Sequence, residues 1–185
     1  MFQEALGRLF DVGTCVVPVD IDTAESATGQ RISMSGHSGI AVVLHTLAGG
    51  ANTITMDFQQ HTAYTSGTSG DLDATYDATS SGIDHYYIKA ETALDNDEAW
   101  VKVTQTAASE VTVDGATYGA MQKLVVVQIG ADQLGTGYTH LSVNLTIATT
   151  STSQLLTMLY IPYDLNVQRT PPNRPNLLRP GTANA

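Results

Sequence analysis

The five histidines, His37, His45, His61, His85 and His140, are scattered singly along the chain. None belongs to an HExxH pattern, and no two stand at the i, i+4 spacing that sets two metal ligands on one helix face. The stretch GHSGI, residues 36 to 40, approaches the G-x-S-x-G turn that exposes a nucleophilic serine, but Ile40 stands where that turn needs glycine. The residues after Ile40 read as strand and not helix, so His37 and Ser38 are expected in a turn. Two acidic stretches, DLD (Asp71 to Asp73) and DNDE (Asp95 to Glu98), offer hard oxygen ligands. Neither has the spaced Asp/Asn positions and closing Glu of a calcium loop, so both read as solvated turns. GTSGDLD lacks the lysine and the strand-to-helix setting of a phosphate loop.

Paired carboxylates for glycoside hydrolysis leave no mark in a sequence, because they need only be close in space. Carbohydrate sites do recruit aromatic platforms, and Trp100 is the sole tryptophan. NLT, Asn144 to Thr146, matches the glycosylation triplet but falls inside an expected strand. No catalytic residue, cofactor or metal site is therefore assigned, and an enzyme is the least favoured class.

The framework that would position any site is read from composition and period. At 185 residues the chain fits one domain with extensions. Charged residues make up 14% and aromatics 6%, while small Thr, Ala, Gly and Ser abound, a composition of strands and turns. Residues 1 to 164 hold 5 Lys and Arg against 18 Asp and Glu, whereas residues 165 to 185 hold 3 arginines and no acid. An acidic body argues against nucleic-acid binding, which needs clustered basic side chains. Cys15, alone, forms no intrachain disulfide and is expected to be a small buried apolar residue. No run approaches the roughly 18 apolar residues of a membrane span. The start, MFQEALGRLFDVG, lacks the basic flank and apolar centre of a signal peptide, so synthesis in a reducing cytoplasm is expected.

Phe2, Ala5, Leu6, Leu9 and Phe10 recur at helical spacing, which predicts a short amphipathic helix over residues 2 to 10, ended by Gly13. Beyond it the period becomes two. CVVPVDI reads as an edge strand because Pro18 lacks a donor. GIAVVLHTL, residues 39 to 47, is nearly continuous apolar and reads as a strand covered on both sides. NTITMDFQQ alternates, with Ile54, Met56 and Phe58 on one face, and the glycines of AGGAN predict a hairpin between these two strands. Residues 65 to 84 read as a long loop, functional or mobile. HYYIKAET and EAWVKVTQT flank the acidic turn ALDNDE; SEVTVDG, QKLVVVQI and THLSVNLTIA come next, the last with Leu141, Val143, Leu145 and Ile147 on one face. SQLLTMLYIPYD is expected to pair back and to end at Pro162. The pattern predicts an all-β fold: an antiparallel, jelly-roll-like β-sandwich over residues 13 to 164, with a helical arm at 1 to 12 and an extended arm at 165 to 185.

That last arm carries Pro171, Pro172, Pro175 and Pro180 among Arg169, Arg174 and Arg179, with Leu177 and Leu178 as its apolar anchors. Proline removes donors and the stretch has little to bury, so it reads as a segment that orders along a partner's groove, its guanidinium groups pairing with carboxylates.

The run KLVVVQIGADQLGTGYTHLSVNLTIATTSTSQLLTMLYIPYD, residues 123 to 164, joins a β-branched strand, an ADQL turn, a Gly-Tyr entry into an alternating strand, a small-residue turn and a closing strand with a Tyr-Pro segment. Together with SGIAVVLHTLAGGANTITMDFQQ it resembles the decoration, or cement, proteins on the capsids of tailed bacteriophages. The resemblance spans most of residues 30 to 165 and is one of rhythm. It implies a structural virion protein on the outer capsid surface that binds the major capsid protein and stabilises the shell, with no catalytic residues and with a homotrimer as its form. The helix at residues 2 to 10 and the proline-arginine tail are not general features of that family. Phe2, Leu6, Leu9, Phe10 and Pro162 join the tail residues as expected partner contacts. The alternative is an adhesive or carbohydrate-binding β-sandwich of a phage tail or fibre, which would gather Tyr64, Tyr76, Tyr86, Tyr87 and Trp100 at one loop end.

Overall fold

Strands β1 (Gly13–Asp20), β2 (Ser26–Thr28), β3 (Ile32–Ser33), β4 (His37–Thr46), β5 (Ile54–His61), β6 (Ser69–Asp71), β7 (Ile83–Glu91), β8 (Val101–Ala108) and β9 (Glu110–Val113) lead into the single-turn helix α1 (Gly115–Tyr118). Then come β10 (Gln122–Gly130), β11 (His140–Ile147) and β12 (Leu155–Leu165). This computed structural model describes residues 5–21, 26–72, 82–148 and 153–166. All strand pairs are antiparallel, in two sheets: a larger one ordered β1-β12-β4-β10-β7-β8, and a smaller one ordered β2-β11-β5-β6, with β3 on β11 and β9 on β5. The all-β sandwich expected from the two-residue period is thus present.

The core is the set of inward positions of both sheets. Register places Ile40, Val42 and Leu44 of β4 opposite Ile129, Val127 and Val125 of β10, and Val42 and Leu44 also opposite Tyr160 and Met158 of β12. Across from them Ile54, Met56 and Phe58 of β5 and Leu141, Val143, Leu145 and Ile147 of β11 are buried. Alternation forces this arrangement, because one inward residue per pair of positions is what a sheet with one covered face requires. Cys15 is buried as expected, its Sγ 3.8 Å from the Val143 carbonyl oxygen.

Several local expectations change. AGGAN does not close a hairpin: β4 lies in the larger sheet and β5 in the smaller, so the chain crosses the sandwich between them. β12 likewise leaves β11 for the other sheet and pairs with β4 and β1. Both segments alternate correctly whichever neighbour they take, so the pattern alone does not choose. Among the described residues β4 is covered on one side only; Ile40, Val42 and Leu44 are buried, Ala41 and Val43 half-buried, His45 exposed. Part of the 65 to 84 loop is the short strand β6, paired with β5, and residues 73–81 lie outside the described residues.

Residues Ala5 to Phe10 form a turn and not a helix. Leu9 N donates to Ala5 O (2.8 Å), Gly7 N donates to Phe10 O (2.7 Å), and Gly7 adopts φ +84°, a left-handed conformation that breaks a helical path. Phe10 instead bridges Tyr163 of β12. Nor does Pro162 end its strand. It is buried opposite Ile40, and β12 continues to Leu165. The Pro162 carbonyl accepts from Asp11 N at 3.0 Å, so the position that lacks a donor faces the N-terminal turn and takes nothing from the β4 ladder. Pro18 falls in β1, an edge strand, as expected.

Candidate interaction face

The two sheets turn chemically different outer surfaces to solvent. On the smaller sheet, register aligns Thr28, Asn144, Asp57 and Glu110 in one row and Ser26, Thr146, Thr55 and Thr112 in the next. Every position in both rows is polar. On the larger sheet the corresponding rows are Thr157, His45, Leu124 and Lys89; then Leu159, Val43, Val126, Tyr87 and Lys102; then Ile161, Ala41 and Gln128. Leu159, Ile161, Val43, Leu124 and Val126 are half-buried in this chain alone, and Leu47, Leu155 and Val17 beside them are 44%, 45% and 65% exposed. Leu159, Val43 and Val126 thus form a contiguous apolar strip across β12, β4 and β10.

Toward the Thr157 end the face deepens into two adjoining grooves that share His45 and Thr157. One, of about 410 Å³, has Val43, Leu124 and Leu159 as its floor and Leu94 and Asn96 as a wall. The other, of about 230 Å³, lies between Pro18, Leu47 and Leu155. The wall residues belong to the acidic turn after β7. There the carboxylates of Glu91, Asp95, Asp97 and Glu98 approach within 4.8 Å of one another, while Leu94 N donates to Gln122 Oε1 (3.1 Å) and Asp95 N to Glu98 Oε1 (2.7 Å). Asn96 takes φ +80° at the tip. Four mutually repelling carboxylates raise the local negative potential and favour a cationic neighbour. At the β8 edge Lys89 Nζ lies 5.3 Å from the centre of the Trp100 ring, a cation–π contact.

A second cluster sits on the smaller sheet around the buried His61 and Ser142. His61 Nδ1 is 2.7 Å from Ser69 Oγ and its Nε2 2.7 Å from Ser142 Oγ, with His140 directly opposite on β11. Arg31 donates to the Ala63 and Ser66 carbonyls and to Ser69 Oγ, tying down the 62 to 68 turn above them. Burial first, then Arg31 and His140, push the His61 imidazole down to about 4. A serine beside an imidazole has the elements of a nucleophile and base, but Ser142 is 4% exposed and the other ring nitrogen meets a serine, not a carboxylate. The arrangement is a crosslink between β5, β6 and β11, buried on its Ser142 side. No spacing rule signals it, because its members are 8 and 81 residues apart in the chain.

The remaining candidates separate. His37 is buried with Nε2 2.9 Å from Ser33 O, at the point where the Gly36 turn enters β4, while Ser38 is exposed. Asn144 to Thr146 lies within β11. Leu6 and Leu9 are exposed, Phe10 is half-buried beside Tyr163, and Pro162 belongs to the core. Phe2, Arg169, Pro171, Pro172, Arg174, Pro175, Leu177, Leu178 and Arg179 lie outside the described residues. The aromatics do not gather at one loop end. Tyr86 is in the core, Tyr87 and Trp100 are on the larger sheet's outer face, and Tyr64 packs near His140, 6.2 Å between ring centres; Tyr76 is outside the described residues. Comparison with protein-family models, with curated proteins and with solved structures gives no match.

Proposed function

We propose that this chain is a structural virion protein of the decoration or cement kind, a jelly-roll-like sandwich that binds the major capsid protein at the outer capsid surface. The observation that carries the reading is the contrast between the two outer faces. A sandwich working alone in water gains nothing from Leu159, Val43, Val126, Leu124 and Ile161 on one outer face, whereas a shell-binding subunit uses such a face for contact and leaves its polar face to solvent. In this reading the copies form a homotrimer, and the terminal segments, with Leu6 and Leu9 at one end and the arginine-proline stretch at the other, extend the contact to neighbours. Many weak contacts repeated by shell symmetry then act together through effective concentration.

The test is co-sedimentation of purified protein with shells assembled from the major capsid protein of the phage that encodes the chain. Saturable binding is expected, with Val126→Asp/Leu159→Asp weakening it at least about tenfold, as loss of a central apolar contact would. Absence of binding by the unaltered protein to intact shells overturns the reading. Light scattering is expected to give a trimer.

A further inference from the structure

The point where the chain leaves the sandwich is well defined. Leu165 pairs with His37, and Asn166 N donates to Gly36 O at 2.9 Å. From there the groove floored by Val43, Leu124 and Leu159 begins about nine positions back along β12, at Thr157, a distance of roughly 30 Å at the rise of a strand. Leu177 stands eleven residues beyond Asn166, so an extended chain reaches roughly 36–40 Å. The tail is long enough to return over the outer face and lay Leu177 and Leu178 on that floor.

We propose that the stretch RPNLLR, Arg174 to Arg179, docks into this groove of its own chain, with Leu177 and Leu178 on the apolar floor and the two arginines against the carboxylates of Glu91, Asp95, Asp97 and Glu98. The complementarity is specific. The wall residues Leu94 and Asn96 belong to the same turn as the carboxylates of Asp95, Asp97 and Glu98, and the stretch sets two leucines between two arginines in a segment, residues 165 to 185, that carries no acidic residue. Guanidinium forks suit clustered carboxylates better than ammonium groups do. Pro175 and Pro180 flank the leucines and restrict the free segment, which lowers the entropy lost on docking. In the isolated chain this docking covers part of the face assigned above to the shell, so the stretch leaves the groove when the subunit binds; the test is independent of the capsid reading because no capsid enters it.

The test uses the full chain with Thr182→Cys carrying a nitroxide label; buried Cys15, its thiol pushed up to about 12, stays unlabelled. The methyl resonances of Leu94, Leu124 and Leu159 are expected to broaden relative to those of Leu145 and Val111 in the smaller sheet. Leu177→Asp/Leu178→Asp in the labelled chain should abolish the difference. Amides of residues 177 to 179 should exchange about tenfold more slowly in the unaltered chain than in that variant. Equal broadening on both sheets, or unchanged amide exchange, overturns the proposal. Mixing unlabelled, isotope-enriched chains with spin-labelled ones tests the occupant: broadening seen only in the mixture would make it a second copy and overturn docking within one chain.

Discussion

Burial of His61 between Ser69 and Ser142 makes the neutral imidazole the form that fits the fold. Its ordinary value of 6.5 is lowered to about 4, so below pH 6.5 the unfolded chain binds a proton that the folded one refuses, and stability falls as pH drops toward 4. Urea denaturation at pH 7 and pH 4.5 should differ by of order 2–3 kcal/mol from this group, and His61→Gln should remove most of that difference. Lys123 acts at the other end of the scale. Its side chain points inward from β10 and Nζ donates to the Tyr118 and Met121 carbonyls at 3.0 Å, while burial lowers it from 10.5 to about 8. Above pH 8 the unfolded chain holds the proton longer, so stability should rise, until above pH 9 the Cys15 thiol, raised from 9.0 to about 12, opposes it. A gain of order 1 kcal/mol between pH 8 and pH 9 is expected, absent in Lys123→Met. Neither group is legible in sequence. Lys123 opens a β-branched run and looks like the solvated end of a strand; only the α1 turn above it shows that the strand's first inward position is capped by carbonyls.

At the scale of elements, Asp114 explains why a single turn of helix persists. Its carboxylate accepts from Ala116 N and Thr117 N at 3.1 and 3.2 Å, satisfying donors that a four-residue helix cannot satisfy itself. Between β2 and β3 the limit is steric. A Cβ on Gly29 would overlap the Val143 carbonyl oxygen and stand 2.6 Å from Cys15 Sγ, so β11 backbone or the β1 strand would have to move. Gly29→Ala should cost about 2 kcal/mol or more, read as a lowered denaturation midpoint with unchanged slope. Gly137→Ala, at φ +88° with open space around it, should cost only about 1 kcal/mol from backbone strain. The strands themselves are legible in the sequence because period two is local. Their partners are not: β4 to β5 and β11 to β12 read as hairpins, yet each crosses to the other sheet, a choice made by inward residues far apart in sequence. GIAVVLHTL is apolar on both sides, and the described residues cover only one of them. The excess is the sequence's trace of the apolar outer face of the larger sheet.

For the whole molecule the governing feature is that the apolar outer face belongs to the larger sheet and the polar one to the smaller. Leu159, Val43 and Val126 lie side by side across three central strands, and Val126 stands outside the groove, so a charge placed at Val126 would be surrounded by apolar neighbours in the proposed assembly but reaches water in the isolated subunit. For the association proposed above, the free energy of contact therefore falls much more than the stability of the subunit. Val126→Asp should lower subunit stability by no more than about 1 kcal/mol, in keeping with a half-exposed site, while raising the concentration for half-association at least about tenfold. The matched change on the polar face, Thr146→Asp, should alter neither quantity appreciably. Sedimentation velocity over a concentration series separates the cases. If the Val126 and Thr146 variants associate alike, the contact lies elsewhere, and the exposed Leu6 and Leu9 of the N-terminal turn become the surface to alter next. High salt offers a further discrimination. Apolar contact across the sheet strengthens slightly or holds as ionic strength rises, whereas attachment through arginines and the Glu91 to Glu98 carboxylates weakens once the screening length drops below about 4 Å near 1 M. Association that survives 1 M salt but fails in Val126→Asp would assign the energy to the sheet face and leave to the acidic turn the choice of which basic segment lies against it.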